Sequence, residues 1–403
     1  MASVLAITRE PPYPPNAGDR IVTFGFVRAL VERGHDVHLL TYDRDGDCPA
    51  ALRSVCESVS VVSQPGTRLP PRARKLRHLL TLRSDVMGMF DSTALREGAR
   101  RAIRSLAPDA VLAQHPYIGQ IFRDDGVRRA LNAAGSRTVT NAHVVEYAVH
   151  ERYRRMAEGR TRRLELALEV PRLRREELAA YDAADRTLVL GAEDRSELVR
   201  RVSGPVRHQH VGLDVAGYEP SEGGDSDAKR LLFFGSYGWF PNRDAATHLV
   251  ERIFPEIRDR RPDAELALVG RGATEEIREL GERPGVSFVG EVENLAERVR
   301  DASVVVAPLR IGGGTRLKIL ESMALGTPVV TTPAGFEGVD ARPRVDVAVA
   351  ETPESFAAAT ERLLNSADER RRLGRNARRR IERLYSIRAA GDELESNLGL
   401  AER

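Results

Sequence analysis

Residues 307–324 read Ala-Pro-Leu-Arg-Ile-Gly-Gly-Gly-Thr-Arg-Leu-Lys-Ile-Leu-Glu-Ser-Met-Ala. A β-rich run, Ser303 to Ala307, leads into this stretch, and Pro308 with Gly312, Gly313 and Gly314 breaks the chain. Beyond the break, Leu317, Leu320 and Ala324, flanked by Ile319 and Met323, recur at helical spacing. A helix is therefore expected from Thr315, with the threonine hydroxyl as its N-cap. Glycines let a backbone come close to a ligand. A helix N-terminus presents N–H groups and a partial positive charge to an anion. Arg316 and Lys318 add two cations in the first turn, where the macrodipole disfavours them, and a bound anion resolves that conflict. Glu321 falls near the packed side, where a carboxylate needs partners. Two readings stay open on spacing alone: an ordinary helix pair with Lys318 one turn back, or a pair of ligand hydroxyls.

Working outward, strands and helices alternate on both sides of this stretch. Upstream come strand Leu231–Phe234, helix Asp244–Asp259, strand Glu265–Gly270, helix Thr274–Leu280, strand Val286–Gly290, helix Leu295–Arg300 and strand Ser303–Ala307. Strand Pro328–Thr332 follows downstream, then helix Pro353–Asn365 with Thr352 as cap and Pro353 at its first position. An arginine-rich helix, Asp368–Leu384, reads as a solvated face, and Ala389–Leu400 as a final helix. This is a doubly wound parallel domain. The polar, glycine-rich run Pro220–Lys229 precedes it and reads as a linker.

The N-terminal half repeats the pattern. Strand Ser3–Thr8, helix Arg20–Arg33 closed by Gly34, and strand His35–Thr41 form a β-loop-α-β unit. Its loop, Arg9–Asp19, is longer than the usual ~2–6 residues and lies at the carboxyl edge of a parallel sheet, where open α/β folds bind ligands. Further strands are expected at Ser58–Ser63, Ala110–Ala113, Arg137–Thr140 and Thr187–Leu190. Glu151–Arg175 reads as one long surface helix interrupted or kinked at Pro171. Pro70–Leu82 carries Arg72, Arg74, Lys75 and Arg77 beside Leu76, Leu79 and Leu80. It reads either as a solvated face or as a basic amphipathic helix in contact with anionic lipid.

The chain has 403 residues, 41% of them hydrophobic, and a formal net charge of +3. Two or three domains with real cores are expected, and no nucleic-acid partner. Cys48 and Cys56 fit neither a disulfide framework nor a metal motif. They suit a reducing compartment. No signal peptide is expected from the first residues, and no run approaches the ~20 apolar residues of a membrane span. The expectation is a soluble cytoplasmic protein, at most peripheral at the inner face of a membrane. Gly235-Ser-Tyr-Gly238 and Gly270-Arg-Gly272 are turns that fail to complete G-x-G-x-x-G, and Gly312–Lys318 lacks the phosphate-loop G-K-[ST]. His143 follows a strand directly, a position open to a structural or a catalytic role. His143, Glu146 and His150 lack a second histidine–carboxylate set, so no metal is expected.

Together these stretches resemble the family 4 glycosyltransferases of GT-B fold. The resemblance covers nearly the whole chain. It is strongest in Gly312–Thr332 and is supported by Leu231–Ala245, Pro262–Gly272, Pro11–Arg20 and Asn141–Tyr147. It implies an α/β protein with two Rossmann-like doubly wound domains facing an interdomain cleft. Residues 1–216 would bind acceptor and residues 217–384 the nucleotide sugar, with 385–403 a helix crossing back to the first domain. It implies transfer of a sugar from a nucleotide-diphosphate donor to a hydroxyl acceptor with retention at the anomeric carbon, without metal or other cofactor. A UDP-sugar is the expected donor. The acceptor is either lipid-linked, in cell-envelope polysaccharide or glycolipid synthesis, or a natural-product aglycone.

Carried onto this sequence, Gly18 matches the glycine loop near the diphosphate, His143 the histidine near the donor sugar, and Glu321 the second glutamate of Glu-x7-Glu, which binds ribose. The first glutamate of that motif is replaced by Gly313, so amides of Gly312, Gly313, Gly314 and Thr315 are expected to take over its contact. The family's Arg after the glycine of the first second-domain strand is replaced by Ser236, which follows Gly235. Near the position of its Lys stand Pro241 and Asn242. Arg316 and Lys318, with Arg243 as a second source, are expected to supply the missing charge. A nucleotide-sugar epimerase of the same fold and a non-catalytic nucleotide-binding partner protein remain alternatives.

Overall fold

The computed structural model describes residues 1–43, 50–64, 70–157, 159–220 and 229–400. Most of the expected linker, residues 221–228, lies outside the described residues, as does Cys48. The chain divides into two compact units. One comprises Met1–Leu213, Gly313–Thr315 and Ile387–Arg403, the other Asp214–Gly312 and Arg316–Ser386.

In the first unit the described strands are β1 (Ser3–Thr8), β2 (Asp36–Asp43), β3 (Ser58–Ser63), β4 (Ala110–Gln114), β5 (Arg137–Ala142), β6 (Arg186–Val189) and β7 (Val206–His208). They form one sheet in the order β3-β2-β1-β4-β5-β6-β7, parallel throughout. Val4, Leu5, Ala6 and Ile7 are all buried. A continuous apolar run of this kind marks a central parallel strand covered on both faces. The strand order reverses between β1 and β4, so the loops after these two strands lie at the switch point where such sheets bind ligands. Leu5, Ile7, Leu40, Val111 and Ala113 pack one face of the sheet against Ala99, Ile103, Tyr117 and Phe122.

The first helix runs Gly18–Glu32, so Gly18 and Asp19 belong to the helix and not to the preceding loop. The helix ends at Gly34, whose φ of +81° needs a glycine. The expected long helix is two, Glu146–Met156 and Arg160–Tyr181, and Pro171 sits inside the second. The interruption falls before Arg160, at Gly159 with φ +83°, and not at the proline.

The second unit holds β8 (Arg230–Phe234), β9 (Glu265–Val269), β10 (Val286–Gly290), β11 (Val304–Ala307), β12 (Val329–Thr331) and β13 (Ala348–Val349). Their order is β10-β9-β8-β11-β12-β13, again parallel. Here the switch point lies between β8 and β11. The expected cap at Thr352 is present as a reciprocal capping box with Ser355. The helix after the glycines starts later than expected. It spans Leu317–Ala324 with Arg316 as its cap residue, and Thr315 lies outside it.

The arginine-rich helix Ala367–Leu384 is not a fully solvated face. Arg370 is buried and donates to the carbonyls of Leu363 (2.8 Å) and Leu364 (3.2 Å). Arg378 donates to the carbonyls of Tyr218 (2.6 Å) and Val215 (3.1 Å). Arg370 thereby ties down carbonyls in the last turn of helix Pro353–Asn365.

Candidate functional site

In the second unit the loop after β8 and the helix after β11 meet at the switch point. Asn242 opens toward both. Its Nδ2 donates to the Ser236 carbonyl at 2.9 Å, and its Oδ1 accepts from Lys318 Nζ at 2.7 Å. Gly235 leaves room for this pair: a Cβ there would lie 2.7 Å from Asn242 Nδ2 and 3.0 Å from Lys318 Nζ. The ammonium also lies 4.3 Å from the centroid of the Phe233 ring. Lys318 makes no ion pair among the described residues, and Glu321 is the one acid that acts on it. Burial, reinforced by Arg316, brings its pKa down to about 7. One turn on, Glu321 Oε1 accepts from the Tyr218 hydroxyl at 3.3 Å. Burial pushes its pKa up to about 7 against the pull of Tyr218 and Lys318. Both side chains keep some solvent exposure.

The two cations expected to act together do not share a task. Arg316 is buried, donates to the Ala334 carbonyl at 2.8 Å and lies 3.5 Å from Glu337 Oε2. Its charge is compensated by the loop after β12. Gly312 makes space for it, since a Cβ there would lie 2.1 Å from Arg316 Nη2. Arg243 donates to the carbonyls of Tyr237 (2.8 Å) and Gly238 (3.1 Å), clamping its own loop. Gly313, Gly314 and Thr315 group with the first unit, and Gly314 has φ +63°. Lys318, Glu321 and Gly235 are brought together, joined by Asn242 and Tyr218. The signal for Asn242 was its place near the family's missing Lys. Tyr218 carried no signal, because its partner is 103 residues away.

In the first unit the loops after β1, β4 and β5 converge. Gln114 Oε1 accepts from Asn141 Nδ2 and pairs with His143 Nε2, both at 2.8 Å. The proton of His143 therefore sits on Nε2. His143 stacks on His115 at 3.8 Å, and His115 on Tyr117 at 4.7 Å. Burial, then Arg9, brings His143 down to about 3, so the ring is neutral. Arg9 donates to the Tyr117 hydroxyl (2.9 Å) and to Asp19 (2.9 Å from Nε), while Arg20 pairs with Glu10 at 2.6 Å. Gly18 opens the helix beside this network. The chain at His115 has φ +75° and is held by its N–H bond to the Asn141 carbonyl at 2.8 Å. Glu177 fixes the next helix by accepting from the N–H groups of Glu146 (2.9 Å) and Tyr147 (2.8 Å), with the Tyr181 hydroxyl at 2.7 Å. His150 Nδ1 is taken up by the Glu146 carbonyl at 2.9 Å.

Residues 228–366 match the family model described as "Glycosyl transferases group 1". The second unit carries a group 1 glycosyl transferase domain. Over 128 residues the chain is 34% identical to a phosphatidyl-myo-inositol mannosyltransferase of Mycolicibacterium smegmatis, covering 30% of this chain and 32% of that protein. Over 186 residues it is 33% identical to an MMP alpha-(1->4)-mannosyltransferase of Mycolicibacterium hassiacum, covering 44% of each. The chain thus spans about a third of the length of the first of these curated relatives.

Solved structures match the fold of nearly the whole chain. Anabaena HepE in complex with UDP and glucose matches with TM-score 0.68 at 12% identity, over 99% of this chain and all of that one. A sucrose-phosphate synthase from Thermosynechococcus elongatus matches with TM-score 0.71 at 20% identity, over 98% of both. The fold is GT-B, as the sequence resemblance implied. Among the described residues no helix is long and apolar enough to cross a membrane.

Proposed function

We propose that this group 1 glycosyl transferase domain binds a nucleotide-diphosphate sugar, and that the whole chain transfers the sugar, with retention, to a hydroxyl acceptor. Lys318 carries this reading. It is a cation at the sheet's switch point whose hydrogen-bond partner, Asn242, is neutral. A diphosphate is the ligand that such a lysine, at the start of a helix, would stabilise. Breaking the anomeric bond leaves extra negative charge on the diphosphate, so Lys318 and the helix dipole act more strongly on the transition state than on the bound donor. Glu321, one helical turn further, takes the ribose hydroxyls. Neutral His143, its Nε2 proton held by Gln114, offers Nδ1 as an acceptor for a hydroxyl of the donor sugar. As the family resemblance implies, the leaving phosphate itself takes the acceptor's proton in a front-face displacement.

The donor is a hexose nucleotide. UDP is the first candidate, supported by the UDP named with the HepE structure; mannose is the sugar named for the curated relatives. A thermal-shift panel with UDP, GDP, TDP, ADP and NAD tests the reading. Binding to the folded state alone adds ~2.7 kcal/mol at a hundredfold excess over Kd, so one diphosphate should raise the Tm. A shift with NAD alone would overturn the proposal. Anomeric analysis of the product tests retention.

The acceptor is proposed to be lipid-linked, with the protein on the cytoplasmic face of the membrane. Helix Pro71–Leu80 and the turn after it expose Leu79, Leu80 and Leu82. Its basic stripe is thinner than the sequence suggests, because Arg74 pairs with Asp85 at 3.0 Å and Lys75 with Glu165 at 3.6 Å. Co-flotation with anionic but not zwitterionic vesicles is the expected result, and flotation with neither would remove the membrane from the reading.

A further inference from the structure

At the edge of the first sheet, away from the switch point, two histidines and a glutamate converge. His208 ends β7, and the N–H of Gln209 continues the pairing to the Val189 carbonyl at 2.9 Å. His208 and His210 are two residues apart on an extended chain and so project from the same face. Glu393 reaches them from the last helix, Ile387–Leu398. Its Oε1 lies 3.7 Å from His208 Nδ1 and its Oε2 lies 3.0 Å from His210 Nδ1. One donor atom from each of the three lies within 4.8 Å of the others.

We propose that His208, His210 and Glu393 form a site for one divalent transition-metal ion of the Zn²⁺ type, which staples the last helix to the edge strand of the first unit. Tetrahedral bonds of ~2.1 Å separate neighbouring ligand atoms by about 3.4 Å, and the two measured spacings straddle that value. Two imidazoles and a carboxylate suit Zn²⁺, Co²⁺ or Ni²⁺, and not Mg²⁺. The three side chains are 25%, 14% and 30% exposed, which gives an ion a way in and leaves room for water as fourth ligand.

The ligands are also held from behind. The N–H of His210 donates to Glu393 Oε2 at 2.7 Å, fixing the carboxylate. Gln209, fully buried between the histidines, donates to the carbonyls of His210 and Ala390, both at 3.0 Å, and accepts from Asn397 Nδ2 at 3.0 Å. Such supporting bonds orient metal ligands. This ion holds the fold together and takes no part in sugar transfer.

The test uses the full-length protein freed of metal with a chelator. Titration with Co²⁺ should give the visible absorption of a four-coordinate ion, saturating at one equivalent and displaced by Zn²⁺. Zn²⁺ should raise the Tm and Mg²⁺ should not. Glu393→Gln keeps the size and an oxygen acceptor, so it should fold yet bind at least about tenfold more weakly. His208→Gln should behave the same way. No cobalt band at one equivalent, or equal binding by wild type and both variants, would overturn the proposal. The carboxylate would then bridge the two imidazoles without an ion.

Discussion

The two sheets share one topology, and each places its loops at a switch point, yet the two are charged differently. In the first unit Arg9, the cation that acts on His143, pairs with Asp19, and Arg20 pairs with Glu10. The rings of His143, His115 and Tyr117 form a stack in which His143 is neutral. In the second unit the Lys318 ammonium has, among the described residues, only the neutral Asn242 as hydrogen-bond partner, and Lys318 and Glu321 are both poised near pH 7. A folded chain seldom leaves a part-buried lysine without a direct ion pair unless a ligand brings one. The first switch point is therefore suited to neutral hydroxyls, the second to an anion.

The contrast is sharpest at Lys318. Lys318→Met keeps the bulk and removes the charge. It is expected to lower kcat/KM for the donor by about 10²- to 10³-fold, as losing a transition-state donor does, in steady-state kinetics with the sugar nucleotide. Glu321→Gln should weaken nucleoside diphosphate binding by about ten- to a hundredfold, the range for a hydrogen bond to a charged group, measured by calorimetry. His143→Ala should leave diphosphate affinity unchanged and lower kcat by about tenfold or more, which separates the two switch points by a KM-against-kcat split.

The pH profile gives the smallest effect. Lys318, lowered to about 7, loses its proton above that pH, so diphosphate affinity should fall by up to about tenfold per unit as pH rises. Glu321, raised to about 7, gains a proton below it, so affinity should fall on the acid side as well. Lys318→Met should flatten the alkaline limb and Glu321→Gln the acid limb.

Most of the sheet was legible in the sequence because central parallel strands are continuous apolar runs. The central strand Ser3–Thr8 matches its expected bounds, and Leu231–Phe234 falls one residue short at its start. The edge strands Ser58–Ser63 and Val286–Gly290 were read as well, but the edge at the opposite end of each sheet was not. β7 has three residues and β13 two, too few to show a period. Helices Thr93–Leu106 and Asp125–Ala134 also escaped the reading, although Ser92 and Asp124 cap them. At the site, helical spacing singled out Lys318 and Glu321, but spacing cannot say where an arginine turns. Arg316 goes to Glu337 and Arg243 to its own loop, because each finds oxygen atoms from residues distant or irregular in sequence. Tyr218, Asn242 and the His208–His210–Glu393 cluster are likewise products of tertiary contact.

The most direct measurement is calorimetric titration of UDP and GDP into wild type and Lys318→Met at pH 8, in buffers of different ionisation enthalpy. Lys318 is largely neutral there in the free protein, so a diphosphate that engages its charged form must draw in a proton. The account predicts proton uptake approaching one per bound diphosphate in wild type, and in the variant weaker binding with no such uptake. Equal affinity and equal proton balance in the two proteins would contradict it.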